Sequence, residues 1–308
     1  MIATNAYSSA LSAALEAAGG QNYPPGALYV VATPIGNLAD ITLRALHVLG
    51  LADSIACEDT RHTQALLRAY GIDKSSAQLL AVHQHNESEA AQAVIDRLQQ
   101  GQRVAYASDA GTPAISDPGA RLVAAVRQAR LRVVPLPGTS SVTAALSVAG
   151  ISEEGGQSGF VFAGFLPSKA TERATAVEAL RDEARAVVML EAPHRIDALA
   201  AALSVLGVRP VTIGRELTKQ FEEIATVDAA DFPAWLAQDA NRLRGEFVLV
   251  LHPAPACAAA GPDTRVLKLL LEQLPLKTAV KLASDITGEP RNALYQLALD
   301  LKQGSADE

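Results

Sequence analysis

Cysteine is almost absent: Cys57 and Cys257 are the only two in 308 residues, far apart and in no CxxC pair. Spacing therefore excludes a disulfide framework or a thiolate zinc site, and a reducing, cytoplasmic setting fits. The six histidines show no ligand spacing either, so no metal is expected. Aromatic residues are 4% of the chain, which argues against the base-stacking sheets of single-strand RNA modules. No apolar run reaches the roughly 20 residues that span a bilayer, so no membrane partner is expected. The segment before Gly26 has no Lys or Arg, hence neither the n-region of a signal peptide nor the Arg-rich character of a transit peptide. Residues 1–27 read as a flexible tail ending at the turn Pro24-Pro25-Gly26. No GxGxxG follows the first strand, and no GxxxxGK[ST] occurs, which removes the fingerprints of dinucleotide and triphosphate sites.

Positive charge is in deficit, with 26 Lys and Arg against 33 Asp and Glu and a net charge of −7. Proteins that grip nucleic acid through phosphates are usually basic. Any RNA site here must concentrate its cations locally.

Apolar residues are abundant at 49%, mostly Ala, Val and Leu, as suits helices packed on sheets. Strands are predicted at Leu28–Thr33, Ser54–Cys57, Gln78–Val82, Arg103–Ala107 and Arg132–Leu136. Helical patterns lie between them, as in Thr42–Leu49, Thr60–Tyr70 and Glu87–Gln100. This alternation predicts right-handed crossovers and a mainly parallel sheet over 28–152. A polar, Gly-rich linker at Ser152–Ser158 precedes a second alternation over 158–253. There strands are predicted at Phe160–Ala163, Val187–Leu190, Val211–Arg215, Glu223–Val227 and Phe247–Leu251, some close enough together for a mixed sheet. After an Ala/Pro/Gly-rich linker, 262–302 reads as three short helices, broken at Pro275 and Gly288-Glu289-Pro290, in a helix-turn-helix-like unit.

Ligands in open α/β sheets bind beyond the carboxyl ends of the strands. Three of those ends carry loops of Gly, Pro and small hydroxyl residues: Thr33-Pro34-Ile35-Gly36, Ser108-Asp109-Ala110-Gly111-Thr112-Pro113 and Pro137-Gly138-Thr139-Ser140-Ser141. Such loops bring backbone amides close to a ligand with little side-chain bulk. Any one alone is an ordinary turn; three on one sheet indicate a small-molecule site.

Seven stretches occur in order: YVVATPIGN (29–37), ACEDTRHT (56–63), SDAGTPAISDPG (108–119), VPLPGTSS (134–141), GFLPSK (164–169), EAPHR (191–195) and RELTK (215–219). With the C-terminal LPLKTAVKLASDITG and RNALYQLAL, they resemble the small-subunit ribosomal RNA methyltransferase family of the tetrapyrrole-methylase superfamily, from Leu28 to Leu301. The resemblance implies an α/β fold of two consecutive domains with S-adenosylmethionine in the cleft between them, plus the helical extension. It also implies a homodimer that methylates the 2′-hydroxyl of a decoding-centre cytidine (1402) in 16S rRNA of the small ribosomal subunit. By motif position, the cofactor would meet Pro34, Ile35, Gly36, Asp109, Gly111, Thr112, Pro113, Ile115, Ser140 and Ser141. Phe165, Leu166, Gly245 and Glu246 would close over it from the second domain.

Methyl transfer from a sulfonium is an in-line displacement governed by alignment, and a ribose hydroxyl profits from a nearby base. Motif positions offer Glu58, His194 and Glu216 as catalytic candidates, with Asp59 and His85 behind them. Asp59 could equally cap the following helix, and Asp109 could fix its own loop. Arg61, Lys169, Arg195 and Lys219, with Arg215 nearby, supply the local cations for RNA phosphates. Three other readings remain: a tetrapyrrole or diphthamide-precursor methylase of the same fold, a nucleotide-dependent α/β enzyme, and a non-enzymatic RNA or assembly factor using the helical extension.

Overall fold

Short runs of Val, Ile, Ala and Leu form strands here because helices cover both faces of the sheet they build. The computed structural model describes residues 8–83, 87–115, 119–151, 159–254 and 264–304. His85, the expected linker at 152–158 and most of the second linker lie outside them. The first sheet is wholly parallel. Its strands are β1 (Ala27–Val31), β2 (Ser54–Cys57), β3 (Leu79–Ala81), β4 (Val104–Ala107) and β5 (Arg132–Leu136), in the order β3-β2-β4-β1-β5. Every residue of β2 and β4 is buried.

Alternate residues feed two cores. Tyr29, Val31, Ile55 and Ala105 face one side, packed with α2 (Leu43–Leu51) and α3 (Thr60–Ala69). Leu28, Ala56, Val104 and Tyr106 face the other, against α4 (Glu87–Gln99) and α5 (Gly119–Gln128). Capping side chains mark where helices begin. The Thr42 hydroxyl accepts from the Ala45 amide at 3.1 Å, and Asp59 Oδ1 accepts from the Arg61 amide at 2.8 Å. Asp59 thus does the capping work that its sequence position allowed.

The expectation of a flexible tail over 1–27 fails at its centre. Ser8–Ala18 is a helix, α1, that packs on α2 with Ala14 and Ala18 buried. Alanine is the best helix former, and the small face of this segment fits the apolar surface that α2 leaves open.

The second sheet is mixed, as the close spacing of its strands implied. It runs β6 (Phe160–Gly164), β7 (Ala186–Glu191), β10 (Phe247–Leu251), β8 (Pro210–Arg215), β9 (Glu223–Asp228). Only β6 and β7 pair in parallel; the other neighbours are antiparallel. One face packs on α7 (Ala170–Ala179), α8 (Ile196–Leu203) and α9 (Phe232–Ala237). The opposite face receives α6 (Ser141–Val148), the helix that follows β5 of the first sheet. Val142 and Ala145 of α6 bury against Val188, Val248 and Val250. This shared core makes the two sheet-bearing halves one compact unit.

Helices α10 (Thr264–Gln273), α11 (Leu276–Thr287) and α12 (Arg291–Gly304) form a separate unit. Leu267, Val280, Ala283, Leu294 and Ala298 make its core. Gly288, at φ 76°, closes α11 in the left-handed conformation that glycine adopts most easily.

Candidate functional site

The order of the first sheet puts β4, β1 and β5 side by side, so their three C-terminal loops meet. Hydrogen bonds lace them together. Thr33 and Gly111 exchange backbone bonds of 2.9 and 3.0 Å, joining the loops after β1 and β4. The Thr112 hydroxyl donates to the Thr139 carbonyl at 2.8 Å, and the Thr139 hydroxyl donates to the Thr33 carbonyl. Gly111 sits at φ 80°, where a side chain is strained, and an added Cβ would press on Ile35 at 3.2 Å. The small residues are therefore required by close approach of the loops.

A cavity of about 320 Å³ opens over these loops, at the small end of small-molecule sites. The first half lines it with Ile35, Ala110, Gly111, Thr112, Ile115, Ser140, Ser141 and Val142. The second half adds Phe165, Leu190 to Pro193, Gly214, Leu217, Lys219 and Glu246 to Val248. Ser140 is the N-cap of α6, yet its hydroxyl makes no capping bond. That hydroxyl and the first amides of the helix are free to meet an anionic group.

The floor of the second half is a tight clasp. Lys219 Nζ donates to Glu216 Oε1 at 2.8 Å and to Glu246 Oε2 at 3.1 Å. Glu216 Oε1 also accepts from the Glu246 amide at 2.9 Å. Burial opposes the charge on Glu216, but the bonds from Lys219 and the Glu246 amide outweigh it and hold the carboxyl below its usual range. Burial likewise works against Lys219, and its two carboxylate partners overcome it, raising its pKa. Two residues of this turn, Glu216 at φ 50° and Thr218 at φ 66°, occupy the left-handed region, which is costly for a β-branched side chain. The Thr218 hydroxyl accepts from the Asn37 amide at 3.1 Å, which pins the turn to the loop after β1.

The structure brings together eight of the expected cofactor residues on the cavity wall: Ile35, Gly111, Thr112, Ile115, Ser140, Ser141, Phe165 and Glu246. The other six stand behind it. Pro34, Pro113 and Leu166 are buried. Asp109 ties loops together, accepting from the Asp59 amide and donating its own amide to Glu58 Oε1, both at 3.3 Å. Gly36 and Gly245 are close-approach positions, where a Cβ would lie 2.4 Å from Lys219 Cγ and Glu216 Cγ respectively.

The catalytic candidates fare differently. Glu58, His194 and Glu216 are all absent from the cavity wall. His194 is exposed beside Pro193 of the wall, and Glu216 spends its carboxylate inside the clasp. Among the RNA candidates, Arg61 and Lys169 are open, with side chains 91% and 77% exposed. Arg195 is committed: Nη2 donates to the Leu166 carbonyl, and Nε lies 3.0 Å from the fully buried Glu191. Arg215 is buried, donating to the carbonyls of Arg244 and Phe221. Lys219 is held in the clasp by Glu216 and Glu246, at the cavity wall. Leu190, Ala192, Gly214, Leu217 and Val248 were missed, because an apolar wall residue has the same sequence signature as a core residue.

The fold, a parallel sheet with a loop-built cavity beside a mixed sheet, has neighbours among solved methyltransferases. Solved structures of that fold are similar to this chain. Uroporphyrin-III-C-methyltransferase from Thermus thermophilus matches with a TM-score of 0.53 at 22% identity, covering 74% of this chain and 94% of that one. Cobalt precorrin-4 methyltransferase, a cobalamin biosynthetic enzyme, matches with a TM-score of 0.52 at 18% identity, covering 75% and 98%. The family model "Tetrapyrrole (Corrin/Porphyrin) Methylases" matches residues 27–233, and "RsmI C-terminal HTH domain" matches 258–302.

Curated relatives named "Ribosomal RNA small subunit methyltransferase I" are much more similar. That of Escherichia coli O157:H7 is 46% identical, covering 89% of this chain and 95% of its own. Those of Neisseria meningitidis serogroup B and Pseudomonas aeruginosa are 48% and 45% identical, covering 90% and 91% of this chain and 94% and 99% of theirs. The chain belongs to the ribosomal RNA small subunit methyltransferase I family of the tetrapyrrole methylases, and it is a methyltransferase.

Proposed function

We propose that this enzyme transfers a methyl group from S-adenosylmethionine to the 2′-hydroxyl of the decoding-centre cytidine 1402 in 16S rRNA. It does so on the small ribosomal subunit, in the cytoplasm and as a homodimer. Similarity to the rRNA methyltransferases along nearly the whole chain, the helical extension included, is the observation that carries this reading. A tetrapyrrole substrate is disfavoured by the same match.

The cavity residues fit such a cofactor. Three loops offer backbone amides and carbonyls to a nucleoside edge, and the α6 N-terminus with the uncommitted Ser140 hydroxyl suits a carboxylate. Ile35, Ile115, Leu217 and Val248 supply apolar surface that excludes water. When bound, S-adenosylmethionine supplies a sulfonium methyl group that needs no Lewis acid. The chain's part is alignment, since an in-line displacement gains most from fixed geometry. Loops joined across three neighbouring strands and pinned to Thr218 are rigid enough for that. Glu246 is the exposed carboxylate on the wall, oriented by Lys219, and is the proposed acceptor of the hydroxyl proton.

The test uses the full chain, S-adenosylmethionine labelled in its methyl group, and small subunits from a strain lacking the enzyme. Nucleoside mass spectrometry should find one 2′-O-methylcytidine at the decoding centre. Label in a base, or in no RNA at all, would overturn the proposal.

A further inference from the structure

The loop between β6 and α7 holds an aromatic ring outside every apolar core that the described residues form. Phe165 lines the cavity yet is 53% exposed, whereas the next residue, Leu166, is buried in the core beneath the sheet. A single exposed Phe on an outer surface would mean little. This one stands on the wall of the site, in a chain where aromatics are 4% of residues.

The loop under it is braced. β6 shifts register between Phe162 and Gly164, and Gly164 at φ 64° turns the chain out of the strand. Arg195 Nη2 donates to the Leu166 carbonyl, and Arg173 Nη1 donates to those of Ser168 at 3.0 Å and Pro167 at 3.4 Å. Three successive carbonyls are thus drawn inward to two guanidiniums, of which Arg173 is only 9% exposed. Hydrogen bonds to charged donors are the stronger kind. With its backbone fixed this way, the loop presents Phe165 outward at little entropic cost to a ligand.

We propose that Phe165, rather than closing over the cofactor as its motif position implied, is a preformed stacking platform for the base of the target nucleotide, with Arg173 and Arg195 as its positioning residues. The inference rests on the rRNA substrate proposed above. The amide-bearing loops of the first sheet suit the cofactor, while Phe165 comes from the opposite half, beside the exposed Lys169. Splayed bases of single-stranded rRNA are held by stacking on such rings. Stacking tolerates any base, so the platform sets affinity and orientation, not base identity.

Phe165→Ala, Phe165→Leu and Phe165→Trp in the full chain test this, with rates measured on 30S subunits and cofactor affinity by calorimetry. Phe165→Ala should raise KM for 30S by about ten- to a hundredfold, as loss of one stacked base implies. Phe165→Trp should stay close to the parent, Phe165→Leu should resemble Phe165→Ala, and cofactor Kd should be unchanged throughout. Arg173→Met should raise the same KM and add little on top of Phe165→Ala, a coupling that general destabilisation does not produce. The exposed Phe165 series decides the matter even if Arg173→Met does not fold. Cofactor affinity falling with KM for 30S unchanged would make Phe165 a cofactor wall and overturn the inference. A Leu variant as good as Trp would do the same. If the parent enzyme leaves 30S unmethylated, the proposed function itself fails; if only the Phe165 variants are unaffected, the inference fails alone.

Discussion

Thr112 shows how much one small side chain decides. It bridges two loops through its bond to the Thr139 carbonyl while facing the cavity. Thr112→Arg should therefore abolish S-adenosylmethionine binding, because a long cation fills the ligand's space; calorimetry on the folded variant checks it. Glu216 gives a pH-dependent case. Its folded carboxyl lies below the usual range, so the clasp contributes stability above the unfolded pKa of about 4.3 and loses it as pH falls through the folded value. Lys219 is raised, so its share persists below about 10.4 and fades only as pH rises past the higher folded value. Glu216→Gln should cost about 1 kcal/mol in urea unfolding at pH 7, and the difference should shrink below pH ~4. Cys57 is buried in β2, and burial pushes its thiol up to about 11 despite a hydrogen bond with Thr63. It should resist alkylation at pH 8 until the chain unfolds, as mass spectrometry of labelled peptides would show.

Elements carry the next level. Helix α1 has no acidic residue in its first turn and no basic residue in its last, so it depends on packing, with Ala14 and Ala18 buried and Leu11 against the same core. Removing residues 1–20 should uncover that apolar face of α2 and lower stability by about 2 kcal/mol. A melting curve would then shift down by a few degrees, and a parental Tm would show that α1 docks too weakly to matter. The turn after β8 is the counterpart in the second half. Its strained residues persist because Gly36 leaves room for Lys219, and Gly36→Ala should displace the clasp and lower cofactor affinity.

On the scale of the molecule, the proposed function asks an acidic chain of net charge −7 to hold rRNA with few cations. Arg195, Arg215 and Lys219 are held by protein partners, whereas Arg61 and Lys169, the proposed RNA contacts, form exposed pairs with Asp59 and Glu172 that are weak enough to exchange for phosphate. Arg61→Ala and Lys169→Ala should each weaken 30S binding and spare cofactor affinity. The salt dependence should be shallow, with few phosphates neutralised. A steep slope, or loss of binding on replacing Lys277 or Lys281 instead, would move the RNA contact to the helical extension.

Strands, helices and loops were legible in the chain because hydrophobic periodicity, capping residues and Gly/Pro turns are local signals. The loops that line the cavity were legible for a related reason: close approach demands small residues wherever it occurs, and Gly111, Thr112 and Ser140 advertise it. α1 was not, since a short Ala-rich segment is helical only when another surface buries its face. Nor was the commitment of the charged motif residues. Glu216, Arg195 and Lys219 look like free functional groups in sequence, but their partners lie 3, 4, 27, 29 and 30 residues away. Sequence alone determined the order of the strands and the loops that build the cavity, since those depend on neighbours along the chain. Only the tertiary structure decided which charges are spent holding the site together and which stay exposed, because a charge is free or bound according to what the fold sets beside it.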